Sequence, residues 1–519
     1  MTNRKPNVLF IITDQQRADH VGYASDSALR TPHIDALAAE GRVFHNAWVA
    51  NPVCMPNRCS IMTGRLPSSH SVIFNDRSLP WSANTFVRTF RAAGYRTALL
   101  GKSHLQHGQS RNAVMPYRGA GPEADPFPKG WDQIEDEERY WQDPIPAPED
   151  FYGFERLALA IDHGARLSGH HLRWALKRGG QRETLIPDYD ATAPGAHRSE
   201  HWWQIYQPPY EEGLHSTHFV AEETLAFLRE GANSEAPWLA FCSFPDPHHP
   251  LTPPGDWFFR HRPEAMTLPA SRFDDLAEAP EHLRHFAAIH PRDQRNWVAP
   301  CGYGEDALLA QALAATFGMV ELIDDRIGAI LQGLEATGQA AHTIVVFTSD
   351  HGDMMGDHGL FLKGFMHYRG TLQVPLVIKA PGVAPGATDA LACSMDLGPT
   401  LLELCGLPAY EGMQGRSLQP VLAAAEASVR DHVLIEDDVA PLVARRTPIP
   451  GKTRTLITER HRYTRNSKGE DQLFDLRDDP NEMRDLSARD PALRAQLLER
   501  LADALLAADD AARGTPVTG

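Results

Sequence analysis

Short apolar runs recur along the chain, and most of them stop at ionisable residues. Asn7–Thr13 (NVLFIIT) is apolar without alternation, which predicts a strand buried on both faces of a parallel sheet. Phe44–Val49, Arg96–Leu100, Trp238–Phe244, Thr343–Ser349 and Val374–Ala380 predict further strands. Helical spacing lies between them. Thr31–Ala38 reads as a capped short helix with proline at its first position. Thr85–Ala93, Thr217–Arg229, Leu308–Leu334 and Met395–Leu404 predict helices, and Ser60–Thr63 predicts the start of a helix that presents Cys54. From Val429 the pattern changes to short runs (VLIEDD, TRTLITE, HRYTR, DQLFDL) and a terminal helix over Pro491–Ala507. That suits a small antiparallel sheet with a packed helix. The expected architecture is α/β. A large, mixed, mostly parallel sheet between helices occupies 1–428, and a smaller C-terminal antiparallel sheet plus helix occupies 429–519. Pro420–Ala427 is the expected link.

Residues from about 107 to 215 break this rhythm. They are rich in Pro, Trp, His and Tyr (EERYWQDPIPAPEDF, HWWQIYQPPYEE) with weak periodicity. A stretch too long for a plain connection is expected to be a lid or binding loop. Here it would cover a pocket with aromatic side chains and set specificity. A structural excursion or an oligomer contact explains it equally well. With the C-terminal tail it is the candidate contact surface of a homo-oligomer.

Composition narrows the function classes. A net charge of −17 with no basic stripe argues against a nucleic-acid partner. An anionic ligand then needs a local positive pocket. Six cysteines at 54, 59, 242, 301, 393 and 405 form no disulfide framework, and Cys242, Cys393 and Cys405 sit in apolar runs as small core residues. The apolar run at the start reads as a strand and not a signal peptide. No stretch reads as the roughly 20 apolar residues of a membrane helix. A cytoplasmic, soluble protein without a membrane partner is the expectation.

The strand ends carry the chemistry. Asp14-Gln15 follows the first strand, Lys102-Ser103-His104 the Arg96 strand, His248-His249 the Trp238 strand, and Asp350-His351 the Thr343 strand. Open α/β sheets place ligand sites at this edge. Asp14, Gln15, Asp350 and His351 offer three oxygens and a nitrogen to one divalent metal. Oxygen ligands suit Ca²⁺, Mg²⁺ or Mn²⁺, and the imidazole tilts the choice towards Mn²⁺ or another transition metal. Lys102, His104, His248 and Lys363 can clamp a tetrahedral oxyanion and move protons. Taken singly, each of these endings also reads as a solvated loop or a turn. His170, His171, His197, His201, His282 and His285 lie outside strand ends and carry no assignment.

Asn51–Gly64 (NPVCMPNRCSIMTG) gives these groups a focus. The elements NVLFIITDQQ, Cys54-Met55-Pro56-Asn57-Arg58 followed by Thr63-Gly64-Arg65, GKSH, PHHP, SDHGDMMGDHG with Lys363 downstream, SMDLGPTLLELCG and QLFDLRDDPNEMRDL occur in order. In this order they resemble the type I sulfatases of the alkaline phosphatase superfamily, with only about 107–215 and 255–305 outside the match. The resemblance implies an alkaline phosphatase-like fold and conversion of Cys54 to formylglycine by formylglycine-generating machinery. It implies a hydrated diol held on the metal by Asp14, Gln15, Asp350, His351 and residue 54 itself, one oxygen of which attacks the sulfur of a sulfate ester. Arg58 would stabilise the ionised nucleophile, and His104 would take a proton from the second hydroxyl as sulfate leaves. Lys102 would anchor the diol or the sulfate. His248 and Lys363 would bind sulfate and protonate the leaving oxygen, and Asn75 aligns with a substrate-contacting asparagine.

The chain also departs from the family pattern. Many sulfatases have a second aspartate at the position of Gln15 and an asparagine at that of His351. The Gln15/His351 pair resembles the phosphonate monoester hydrolase and choline sulfatase branches, which leaves Ca²⁺ and Mn²⁺ both open. Gly-Lys-Ser-His resembles true sulfatases more than phosphonate monoester hydrolases. Three readings follow. The first is a sulfatase, arylsulfatase-like, acting on a small-molecule sulfate monoester. The second is a phosphonate monoester or phosphodiester hydrolase, or both activities together. The third is a non-catalytic metal-stabilised protein with unmodified Cys54, paired or not with Cys59.

Overall fold

The computed structural model describes residues 5–25, 27–108, 127, 130–161, 163–187, 197–294 and 300–513. The strands in chain order are β1 (Asn7–Thr13), β2 (Arg42–Trp48), β3 (Arg96–Gly101), β4 (Arg156–Ile161), β5 (Trp238–Ser243), β6 (Cys301–Gly302), β7 (Thr343–Ser349), β8 (Leu360–Phe361), β9 (Leu376–Lys379), β10 (Gly386–Cys393), β11 (His432–Asp438), β12 (Lys452–Thr458), β13 (His461–Asn466) and β14 (Asp471–Asp475). Eight of them form one sheet in the order β10-β2-β9-β7-β1-β5-β3-β4. All its pairings are parallel except those of β9, which runs against β2 and β7. The large, mostly parallel sheet of the sequence reading is therefore present, with the Val374 run as its one reversed strand.

β1 lies near the middle, between β7 and β5, and every one of its residues is buried, as an unbroken apolar run requires. On one face, Ile323, Ile327, Ile330 and Leu334 of the long helix Asp306–Ala336 pack with Leu9, Ile11, Val345 and Phe347. Their spacing is that of one helix face. By length and composition this helix could cross a membrane, which the sequence reading did not find, yet 83% of its most apolar window is buried inside the protein.

Register brings the strand ends together. Thr13 pairs with Ser349, Ile12 with Ser243, Ser243 with Gly101, and Gly101 with Leu159. The residues that follow β1, β7, β5, β3 and β4 thus emerge along one edge. Gly101 permits this: its φ is +114°, and a Cβ there would lie 1.8 Å from the Ser243 carbonyl oxygen.

Three expectations need correction. First, the Cys54 helix starts at Cys54 itself and runs Cys54–Thr63, not from Ser60. Asn51 Oδ1 accepts the Val53 N–H at 2.7 Å and so turns the chain into the helix ahead of the expected start. Second, the 107–215 stretch is not only a covering loop, because its Arg156–Ile161 segment is the edge strand β4. Among its described aromatic residues, Tyr140, Tyr152, Trp174, Trp202 and Tyr206 are buried core, at 1%, 0%, 8%, 2% and 6% exposure, while Trp131, Trp141, Trp203 and Tyr210 are half-buried. Parts of that stretch (109–126, 128–129, 162 and 188–196) lie outside the described residues. Third, Thr31 does not cap the helix Pro32–Glu40 with its side chain. Its hydroxyl bonds Asp35 at 2.8 Å, and Asp324 of the long helix accepts the His33 and Ile34 N–H groups at 3.1 and 2.8 Å.

β11 to β14 form an antiparallel sheet, with the helix Pro491–Arg513 after them. This sheet holds two loops of the larger unit. Asn51 Nδ2 donates to the Glu436 carbonyl at 2.6 Å, and the Phe365 N–H donates to Asp437 Oδ2 at 2.8 Å. The stretches carrying Cys54 and Lys363 are therefore both fastened to β11.

Candidate active site

Cys54 is the first residue of a helix whose ten residues are all buried. Pro56 is tolerated there because first-turn N–H groups have no intrahelical partner. Asn57 Oδ1 accepts from the Ala50 N–H at 3.0 Å and from Ser394 Oγ at 2.7 Å, and its amide donates to the Asp350 carbonyl. One asparagine thus ties the helix start to the end of β7.

Cys54 Sγ lies 3.0 Å from His351 Nε2 and 3.7 Å from Asp14 Oδ1. Asp14, Cys54, Asp350 and His351 place ligand atoms within 4.8 Å of one another, all buried. His351 Nδ1 bonds the Gly352 carbonyl at 2.8 Å, which leaves Nε2 facing the cluster. Two carboxylates and an imidazole, buried together, fit a divalent cation.

Arg58, one helical turn on, is 1% exposed. Its Nε donates to Asp350 Oδ2 at 2.7 Å, its Nη2 to Asp14 Oδ2 at 3.3 Å, and its Nη1 to Ser243 Oγ at 2.9 Å. Burial works against the guanidinium charge, but Asp350 and Asp14 more than offset it and hold its pKa above the usual value. Lys102 Nζ donates to Asp14 Oδ2 and to His163 Nε2. Burial pushes the Asp14 carboxyl up, and Lys102, His248, His163 and Lys363 pull it well below the usual range. For Cys54, burial and the Asp14 charge raise the thiol, while Lys363, Lys102 and His351 bring it down to about 7.

Gln15 occupies a left-handed backbone position, φ 67°. Its side-chain oxygen accepts from Lys363 Nζ at 2.6 Å, and its amide nitrogen bonds His249 Nδ1 at 2.9 Å and also Asp353 Oδ2. Lys363 therefore reaches the site through Gln15. His248 is buried and stacks on His249 with centroids 4.0 Å apart; chiefly through burial, both rings have pKa values well below the usual histidine value. His104, at φ 57°, is held below its usual value for the same first reason. Asn75 lies beside the helix start, its Oδ1 accepting from the Met55 N–H at 3.3 Å. The strand-end residues named from the sequence thus converge in one place. Cys59 is a free thiol, as is Cys54.

Three neighbours escaped the sequence reading. His163, just past β4, bonds Lys102 and stacks on His248 with centroids 3.6 Å apart. Its signal was the run RLALAI followed by a polar pair, the same ending as the other strands, hidden in a stretch with weak periodicity. Glu135 accepts the backbone N–H groups of His104, Leu105 and Gln106 at 2.6, 3.0 and 3.0 Å. Burial raises its pKa, and those bonds oppose the rise. Asp353 accepts from the N–H groups of Met355 and Leu362 at 2.6 and 3.2 Å, bracketing the loop before Lys363. No periodicity points to a loop carboxylate that binds backbone.

The sulfatase family model matches residues 6–407, and the model of the N-sulphoglucosamine sulphohydrolase C-terminal region matches 356–509. An arylsulfatase of Clostridium perfringens is 29% identical over 498 residues, covering 93% of this chain and 90% of that protein. A choline-sulfatase of Rhizobium meliloti is 29% identical over 504 residues, covering 94% and 83%. The crystal structure of a phosphonate monoester hydrolase of Agrobacterium radiobacter superposes with a TM-score of 0.76 at 26% identity, covering 97% of this chain and 96% of that one. On the family match over most of its length and on an alkaline phosphatase-like sheet, the chain belongs to the sulfatase family, and it is an enzyme of that family.

Proposed function

We propose that the protein hydrolyses sulfate monoesters, aryl sulfates among them, with a nucleophile made from Cys54 after its conversion to formylglycine. The observation that carries this reading is the position of Cys54 at a helix start, 3.0 Å from His351 Nε2 and 3.7 Å from Asp14 Oδ1, with Arg58 binding both aspartates. A divalent cation held by Asp14, Asp350, His351 and residue 54, with Gln15 beside them, would acidify the attacking oxygen and offset the charge of the sulfuryl group. Ca²⁺ and Mn²⁺ both suit these donors.

The chain's own residues then have separate tasks. Arg58 keeps the two aspartates oriented and adds a fixed positive charge near residue 54. Lys102, His248 and Lys363 surround the position of the transferred group with cationic or proton-donating groups, stabilising its oxygens as charge develops. Lys363 gives the ester oxygen its proton when the S–O bond to the alcohol breaks, and His248 hydrogen-bonds the departing group. Residue 54, converted and hydrated, would supply the attacking oxygen for the new O–S bond, its proton having passed to solvent. His104 would take the proton of the second hydroxyl, so that breaking the C–O bond releases sulfate with the electron pair and returns the aldehyde, which water would hydrate again.

A second reading has its own support. The Gln15/His351 pair and the Agrobacterium phosphonate monoester hydrolase likeness favour activity on phosphonate monoesters or phosphate diesters in the same pocket. Comparison of kcat/KM for an aryl sulfate and for a phenyl phosphonate ester tests the order. A higher value for the sulfate is expected, and a large phosphonate preference would reverse it.

A further inference from the structure

Among the described residues of the 107–215 stretch, His163 enters the anion cluster with its side chain. Its Nε2 bonds Lys102 Nζ and lies 3.9 Å from Asp14 Oδ2. An ammonium only donates, so this Nε2 is the acceptor and Nδ1 carries the proton of the neutral ring. The His163 ring lies almost flat on His248, 24° between planes. The next residue is fixed as well: Gly164 has φ +69°, and a Cβ there would lie 3.1–3.2 Å from the Pro250 ring. The loop after β4 is thereby packed against the His248–Pro250 loop. Exposure gives the direction. The side chains of Asp14 and Lys102 are 0% and 4% exposed, whereas that of His163 is 17% exposed. His163 is thus the most exposed of these three side chains.

From this geometry we infer that His163 is the positioning residue of the anion clamp, for sulfuryl and phosphoryl groups alike. Lys102 has three N–H donors; Asp14 takes one and His163 another, so the third has a set direction. Without the His163 acceptor, Lys102 would settle onto Asp14 as a plain ion pair and withdraw from an incoming oxyanion. The same ring fixes the plane of His248. The inference rests on the ester-hydrolase reading above, but its test does not need the ester to be known.

The test uses inorganic sulfate and inorganic phosphate as probes, with binding to the full-length metal-loaded enzyme measured by calorimetry and KM and kcat measured for the best ester. Three variants separate the contributions. His163→Ala removes acceptor and ring, His163→Phe keeps a ring against His248, and His163→Gln restores an acceptor at similar reach. The expected result for His163→Ala and His163→Phe is about 10- to 100-fold weaker anion binding with KM raised in parallel, the range for losing a hydrogen bond to a charged group. His163→Gln is expected to recover most of it, with metal content and the mass at residue 54 unchanged in all three. Anion binding within twofold of wild type in His163→Ala, or no recovery in His163→Gln, would overturn the inference. An enzyme that cleaves sulfate esters with His163→Ala unaffected refutes His163 alone. One that binds phosphate through His163 but cleaves no sulfate ester refutes the sulfate reading alone.

Discussion

Cys54 Sγ and His351 Nε2 lie 3.0 Å apart, and their contact joins a helix start to the end of a central strand. Both residues are buried, at 1% and 0% exposure. Neither is held there by accident of packing: Asn57 ties the helix to the Asp350 carbonyl, and the Gly352 carbonyl sets the imidazole's orientation. A single charged cluster at the sheet edge is thus pinned by backbone from two elements.

Arg58 lies between two buried carboxylates, and removing it takes the guanidinium from Asp350 while Asp14 keeps Lys102. Arg58→Met is expected to destabilise the metal-free protein by about 3–5 kcal/mol, and by less with metal bound. Urea unfolding with and without metal checks both parts. Equal losses in the two states would count against a cation between Asp14 and Asp350.

Metal removal gives the complementary result. Chelation should abolish turnover and lower Tm, since a ligand at a hundredfold excess over its Kd stabilises by about 3 kcal/mol. Return of activity and Tm with Ca²⁺ or with Mn²⁺ then identifies the preferred ion. A chelated enzyme with unchanged Tm and activity would contradict the assignment of the four-residue cluster.

Glu135 gathers three successive N–H groups of the loop that carries His104. Glu135→Gln fills the same volume but turns an N–H₂ group towards some of those donors. The expected effect is a kcat lower by about 10- to 100-fold, the scale for a catalytic group displaced by about 1 Å, with a small change in KM and a shifted pH profile. A wild-type profile with normal kcat would show that the loop holds its shape without the carboxylate.

Asp324 offers a pH signature away from the site. Burial raises its carboxyl to about 6, although it accepts N–H groups from His33 and Ile34. A folded value above the unfolded one means the native state holds the proton longer. The resulting penalty is absent below the unfolded value of about 3.9, grows up to pH 6 and is complete above it. Asp324→Asn keeps an acceptor for the helix and cannot ionise. Relative to wild type it should gain stability between pH 4 and pH 6, reaching about 3 kcal/mol at pH 7. Stability measured by denaturant at pH 4, 5, 6 and 7 tests this, and a pH-independent difference would contradict it.

Much of this organisation could be read in the residues themselves. Strands such as Asn7–Thr13 and Thr343–Ser349 are apolar throughout because both their faces are covered, and their polar endings stand out for that reason. Three features were harder to read. β4 is equally apolar, but it stands in a stretch whose buried Trp and Tyr residues obscure the period, and His163 was lost with it. The start of the Cys54 helix was hidden because Asn51 and Asn57 satisfy backbone through side chains, which hydrophobic spacing does not register. Glu135 acts on backbone about thirty positions away in sequence, and only the folded chain brings the two together.

The central claim is that residue 54 supplies the nucleophile, and hydrolysis of an aryl sulfate by wild type and Cys54→Ala tests it most directly. Mass analysis of the residue 54 peptide accompanies the assay, since conversion to formylglycine removes about 18 Da. The account predicts a peptide lighter by that amount in the wild type and a loss of about 10⁴-fold or more in kcat/KM for the variant. A Cys54→Ala enzyme that retains wild-type sulfate ester hydrolysis would contradict it.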